Sequence, residues 1–124
     1  MKIMGRTVTF DAADIDSESG FWAAVFDGEA VGDDEYHEIR AMGGTTPVGV
    51  QLAPDHTPVG WPENPARAHL DLVVEDITTA HEEILALGAA LIQQAPEGEP
   101  FNVYRSPAGH PFCLCWSPED PTPS

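Results

Sequence analysis

Apolar and polar residues alternate along Ala68 to Asp76. Leu70, Leu72 and Val74 fall on one face and His69, Asp71 and Val73 on the other, the period of a strand with one covered side. The alternation stops at Asp76, a good helix N-cap. From there Ile77, Ala80, Ile84 and Leu87 recur at helical spacing until Gly88, where a helix can end. A strand therefore feeds directly into a helix, with one histidine on its polar face. The same order occurs earlier. Val8, Phe10 and Ala12 alternate with Thr7, Thr9 and Asp11 in a strand over 6–12. Asp14 or Asp16 then caps a helix over about 17–27. Phe21, Trp22, Val25 and Phe26 make an apolar stripe on that helix, which must pack against a sheet. Asp14-Ile15 superposes on Asp76-Ile77 with a shift of 62. That shift sets Thr7 on His69 and Gln51 on Cys113, a faint two-copy repeat.

The remaining pattern fills out both halves. Glu29 to Glu38 is rich in acids but lacks the order of ligands and the glycine of a calcium loop, so it reads as a solvated turn between short strands. Strands are predicted over 36–42 and 47–53, with a turn at Gly43-Gly44. Pro54, Pro58, Pro62 and Pro65 exclude a helix or a central strand from the next stretch. It reads as a linker with Trp61 as its one large anchor, either a plug over the core edge or a lid on a ligand pocket. Further strands are predicted over 89–93, 101–105 and 110–116, with a tight turn at Ser106-Pro107-Ala108-Gly109. His81, flanked by Glu82 and Glu83, reads as a solvated helix residue. The order is strand, helix, three strands, linker, and the same again. Helices on one side of largely antiparallel strands give the α+β class. The chain divides into module one over about 5–53, a linker over 54–66, module two over about 67–116, and a loose tail over 117–124.

At His69-Leu70-Asp71-Leu72-Val73-Val74-Glu75-Asp76, Ala86-Leu87-Gly88-Ala89 and Ser106-Pro107-Ala108-Gly109-His110-Pro111-Phe112-Cys113-Leu114 the chain resembles the vicinal oxygen chelate superfamily. Val8 to Gly28, with Phe21-Trp22 in its helix, fits the matching first module. That superfamily includes glyoxalase I, extradiol dioxygenases, fosfomycin-resistance enzymes and bleomycin-resistance proteins. The resemblance implies two βαβββ modules whose curved mixed sheets form a cup with the helices outside, in a protein that pairs as a homodimer. It also implies where metal ligands would lie: Thr7, Gln51, His69 and Cys113. Of these His69 alone matches well. Threonine is a poor ligand, a glutamine carbonyl is weak for zinc, nickel or iron, and Cys113 stands where a glutamate is common. The set cannot form the facial triad of two histidines and a carboxylate, so no cofactor is predicted. A divalent metal enters only through a soft site of His69, Cys113 and Cys115.

Charge changes the picture of partners. Against 21 acidic residues stand 5 basic ones, for a net charge of −16. Such a surface repels nucleic acid and anionic membranes and attracts cations, although an acidic proteome gives the same balance. No apolar run is long enough to span a bilayer. No secretory signal is read at the N-terminus. Cys113 and Cys115, two apart on one strand, are poorly placed to bridge. These features point to the cytoplasm. The polar positions Thr7, Thr9, Asp11, Gln51, His69, Asp71 and Cys113 would line the implied cup. They suit a cationic or hydrogen-bonding small molecule better than a phosphonate, because no cluster of arginines or lysines accompanies them. His69 would serve as a polar contact or as a base tuned by a carboxylate. The expectation is a binding protein of the bleomycin-resistance kind, which holds a cationic drug in a crevice. The alternative is a divergent metal-dependent lyase, isomerase or dioxygenase anchored by His69. A module kept for assembly with another protein is the third possibility. The sequence leaves open whether the protein is an enzyme.

Overall fold

The computed structural model describes residues 1–65 and 68–117, so all but the first residue of the expected tail over 117–124, and the strand start at Arg67, lie outside the described residues. The chain forms two compact units, Met1–Thr57 and Pro58–Ser124. Each carries one helix and one four-stranded mixed sheet, which is the expected α+β plan of two βαβββ modules. No helix of the described residues is long and apolar enough to cross a membrane.

The first unit runs β1 (Val8–Ala12), α1 (Ile15–Val25), β2 (Glu29–Gly32), β3 (Tyr36–Arg40) and β4 (Val48–Leu52), in sheet order β1-β4-β3-β2. β1 lies parallel to β4 and the other pairs are antiparallel. Asp14 caps α1 by accepting the Ser17 N–H, which settles the choice between the two aspartates. The acidic stretch after α1, expected as a turn between short strands, itself holds a strand: β2 spans four of its residues and pairs with β3. It is short, and alternation is hard to see over four residues. The predicted apolar stripe is the core. Trp22 is fully buried, stacked on Phe10 at 5.1 Å and edge-on to Phe21 at 4.9 Å. Ala12, Ile39, Val48 and Val50 close the core from the sheet side. Glu18 is buried with it, and its Oε2 accepts the Trp22 indole N–H at 3.0 Å.

The second unit repeats the plan: β5 (Leu70–Val73), α2 (Ile77–Ala86), β6 (Ala90–Gln93), β7 (Phe101–Arg105) and β8 (Pro111–Cys115), in sheet order β5-β8-β7-β6. Asp76 caps α2 and accepts the amides of Thr78 and Thr79. Ile77, Ile84, Tyr104, Phe112 and Leu114 are buried. This core contains a polar chain. The Tyr104 hydroxyl lies 2.7 Å from His81 Nδ1 and accepts from Asn102 Nδ2 at 3.0 Å, while Asn102 Oδ1 accepts the Ala95 amide at 2.8 Å. His81 is partly exposed on α2, as expected, but its ring is engaged with the core rather than left to solvent. Its partner is 23 residues away. Burial raises the Tyr104 pKa above its ordinary value, so the hydroxyl stays protonated as a bridge. Tyr104→Phe is expected to lower stability by about 1–3 kcal/mol in urea denaturation, because it leaves the buried Asn102 amide without this acceptor.

Candidate functional site

In the second unit one face of the sheet packs under α2, and the other carries Asp71 and Val73 of β5 beside Cys113 and Cys115 of β8. The parallel register sets Asp71 against Cys113 and Val73 against Cys115. Alternation along both strands then puts these four side chains on one side. His69 immediately precedes β5. Its Nε2 lies 3.2 Å from Asp71 Oδ1. The donor atoms of His69, Asp71 and Cys113 all fall within 4.8 Å of one another. The sequence reading named these three among its binding residues and proposed Cys115 as a third soft ligand. The structure supplies Asp71 as the third member instead, and Cys115 is outside the cluster.

Access and charge differ sharply across the three. The side chain of Asp71 is 56% exposed and that of His69 33%, whereas Cys113 is buried at 3%. Burial pushes the Cys113 thiol up to about 12, and the neighbouring Asp71 carboxylate adds to this through its charge and by accepting the thiol hydrogen. Burial, with the Asp71 charge, also raises Cys115. Both cysteines are free. Asp71 therefore links an imidazole on its solvent side to a protonated thiol on its buried side. Imidazole, carboxylate and thiolate are a set that zinc accepts. The His69–Asp71 separation of 3.2 Å is near the roughly 3.3 Å between two donors on one tetrahedral zinc. A metal binds thiolate, so Cys113, whose thiol burial and Asp71 push up to about 12, would have to release its proton to join such a site.

Trp61 adds an aromatic wall. Its indole stacks on the His69 ring at 4.6 Å, with the planes 16° apart. The Trp61 carbonyl accepts from Arg105 Nη2 at 3.1 Å. The sequence left Trp61 between plug and lid, and nothing in its neighbours could have pointed to a histidine eight residues on.

The first unit holds the other predicted residues. Thr7, Thr9, Asp11 and Gln51 are exposed. The Thr7 hydroxyl donates to the Thr46 carbonyl at 2.8 Å, and Thr9 Oγ1 lies 3.3 Å from the Tyr36 hydroxyl. Asp11 sits beside Gln51, and Thr9 beside Gly49. The single shift of 62 that aligns the helices does not carry through the last strands. By register the partner of Thr9 is Gly49, while that of Asp71, its repeat mate, is Cys113. Ladder position thus matches Cys113 to Gly49 and leaves Gln51 opposite Cys115. Sequence reasoning missed Tyr36, whose hydroxyl occupies the space a side chain at Gly49 would need.

Residues 7–115 match the family model described as a glyoxalase-like domain. Solved structures share the fold at low identity. A glyoxalase-related enzyme from Fulvimarina pelagi is 18% identical, over 98% of this chain and 92% of that one, with a TM-score of 0.66. A glyoxalase/bleomycin resistance protein from Albidiferax ferrireducens is 17% identical, over 93% and 99%, at 0.64. The fosfomycin resistance protein FosX from Listeria monocytogenes, in complex with Mn(II) and 1S,2S-dihydroxypropylphosphonic acid, is 17% identical, over 92% and 90%, at 0.67. No curated protein matches the chain.

Proposed function

The chain belongs to the glyoxalase-like domain family of the vicinal oxygen chelate superfamily, and from that premise we propose that it binds a small organic cation through His69, Asp71 and Cys113. The observation that carries this reading is the Asp71 carboxylate. It is solvent-facing, set between an imidazole at 3.2 Å and a thiol that keeps its proton. More than half exposed, the carboxylate is open to a cation carried by a ligand, and the indole of Trp61, stacked on the neighbouring His69, offers a surface that cations favour. The net charge of −16 supports the same sign of ligand. A phosphonate such as that held by the Listeria protein is poorly served. Arg105 is engaged with the Trp61 carbonyl and Arg40 with Glu38.

A second reading has one specific observation behind it, the three-donor cluster. In that reading His69, Asp71 and Cys113 hold a zinc-class ion, and the protein is a metal-dependent enzyme. The ion would supply Lewis acidity. His69 and Asp71 would orient what binds, and Cys113 would first give up its proton. Metal content by mass spectrometry separates the two readings. The protein is purified without chelator and then incubated with zinc, nickel, manganese and ferrous iron, with His69→Ala alongside. The expected result is no stoichiometric metal, together with saturable thermal stabilisation by organic cations that Asp71→Asn abolishes. About one metal per chain, lost in His69→Ala, would replace the first reading with the second.

A further inference from the structure

We propose that Pro58–Pro62 is a strap and that Trp61 is the gate it carries over His69, opening to admit whatever the cluster binds. Four contacts, all within the second unit, build the closed position. The indole covers one face of the imidazole at 4.6 Å. Arg105 holds the Trp61 carbonyl at 3.1 Å. The Val59 amide donates to the Gly109 carbonyl at 3.0 Å. Pro58 sits in the space left by the missing side chain of Gly109, where a Cβ would lie 2.3 Å from the proline. Gly109 also has φ of +85°, a conformation that glycine adopts freely. The turn before β8 is thus shaped to receive the strap, at the head of the strand that carries Cys113.

Two observations favour a gate over a permanent plug. Trp61 lies on a polar, one-third exposed histidine, keeps part of its own surface in solvent and is not among the buried residues of the core. The closed seat also leaves Arg105 Nε buried with no partner among the described residues. An unsatisfied buried donor costs free energy, which weakens the closed seat. Closure is then held by a stack and a few hydrogen bonds, a weight that a ligand can displace.

The gate gives the proposed ligand site its access control and so rests on that reading, but its test uses no ligand. Diethyl pyrocarbonate modifies accessible imidazoles. The rate at His69 would be followed by peptide mass spectrometry and expressed relative to His56, which lies in the other unit. In Trp61→Ala the ratio is expected to rise about fivefold, the factor that an aromatic stack is worth. Trp61→Phe should restore most of the protection. Arg105→Met, which frees the strap but keeps the indole, should give a smaller rise. An unchanged ratio in Trp61→Ala, whether or not stability falls, would overturn the gate. A rise shared equally by His56 leaves the ratio unchanged and overturns it too. Absence of any cation binding would sink the ligand reading and leave this result standing.

Discussion

Trp22→Ala is expected to cost the first unit about 3–5 kcal/mol, the usual range for emptying a buried tryptophan site. Trp22 is fully buried and contacts Phe10, Phe21 and Phe26 as rings. The loss has a second part. The Trp22 N–H serves the Glu18 carboxyl group, which is itself wholly buried, and a buried polar group that loses a donor is penalised beyond the cavity. Trp22→Phe separates the two. It keeps most of the ring packing and removes the donor, so it should fall between wild type and alanine. Urea denaturation followed by far-ultraviolet circular dichroism measures both. Equal losses in the two variants would show that the hydrogen bond, not the volume, dominates. Against a total of about 5–15 kcal/mol for a domain, the alanine variant is expected to lose a large share of its stability.

Cys113 should react with thiol reagents at least about tenfold more slowly than an ordinary cysteine at pH 8, the loss of thiolate being offset only in part by the greater nucleophilicity of a more basic thiolate. A thiol near 9 is roughly one-tenth ionised there, and one near 12 about one part in ten thousand. Iodoacetamide labelling with peptide mass spectrometry checks this, with the unfolded protein as reference. Rapid native labelling of Cys113 would contradict the burial and the Asp71 contact that set its proton affinity. The same shift sets an alkaline limit on stability. The folded state holds the Cys113 proton more tightly than the unfolded chain, whose thiol titrates near 9.0. The stabilisation is therefore complete below pH 9 and is lost as pH climbs from 9 towards 12. Cys113→Ala should flatten that part of the profile.

Short-range features were legible in the sequence. Asp14 and Asp76 announce both helices because a cap acts on amides two or three residues away. Alternation located seven of the eight strands because burial of one sheet face imposes a period of two. The exception, Glu29–Gly32, is too short for the pattern to register. Of the candidate cluster, His69, Asp71 and Cys113 were readable as polar or ligating residues on strand-like segments. Their distances were not. The registers that put Asp71 against Cys113 but Thr9 against Gly49 depend on how each unit's loops return the chain, and loops of different length leave no common spacing. Contacts between distant segments were equally silent: His81 with Tyr104, and Trp61 with His69.

The first unit shows what that register difference means for anyone redesigning the protein. At the ladder position where the second unit has Cys113, the first has a glycine, and the tip of Tyr36 already fills the gap. Copying the histidine, aspartate and cysteine into Thr7, Thr9 and Gly49 would therefore drive a side chain into a phenol. A symmetric protein built from two such halves must begin by shortening Tyr36, and only then does the duplicated plan become interchangeable.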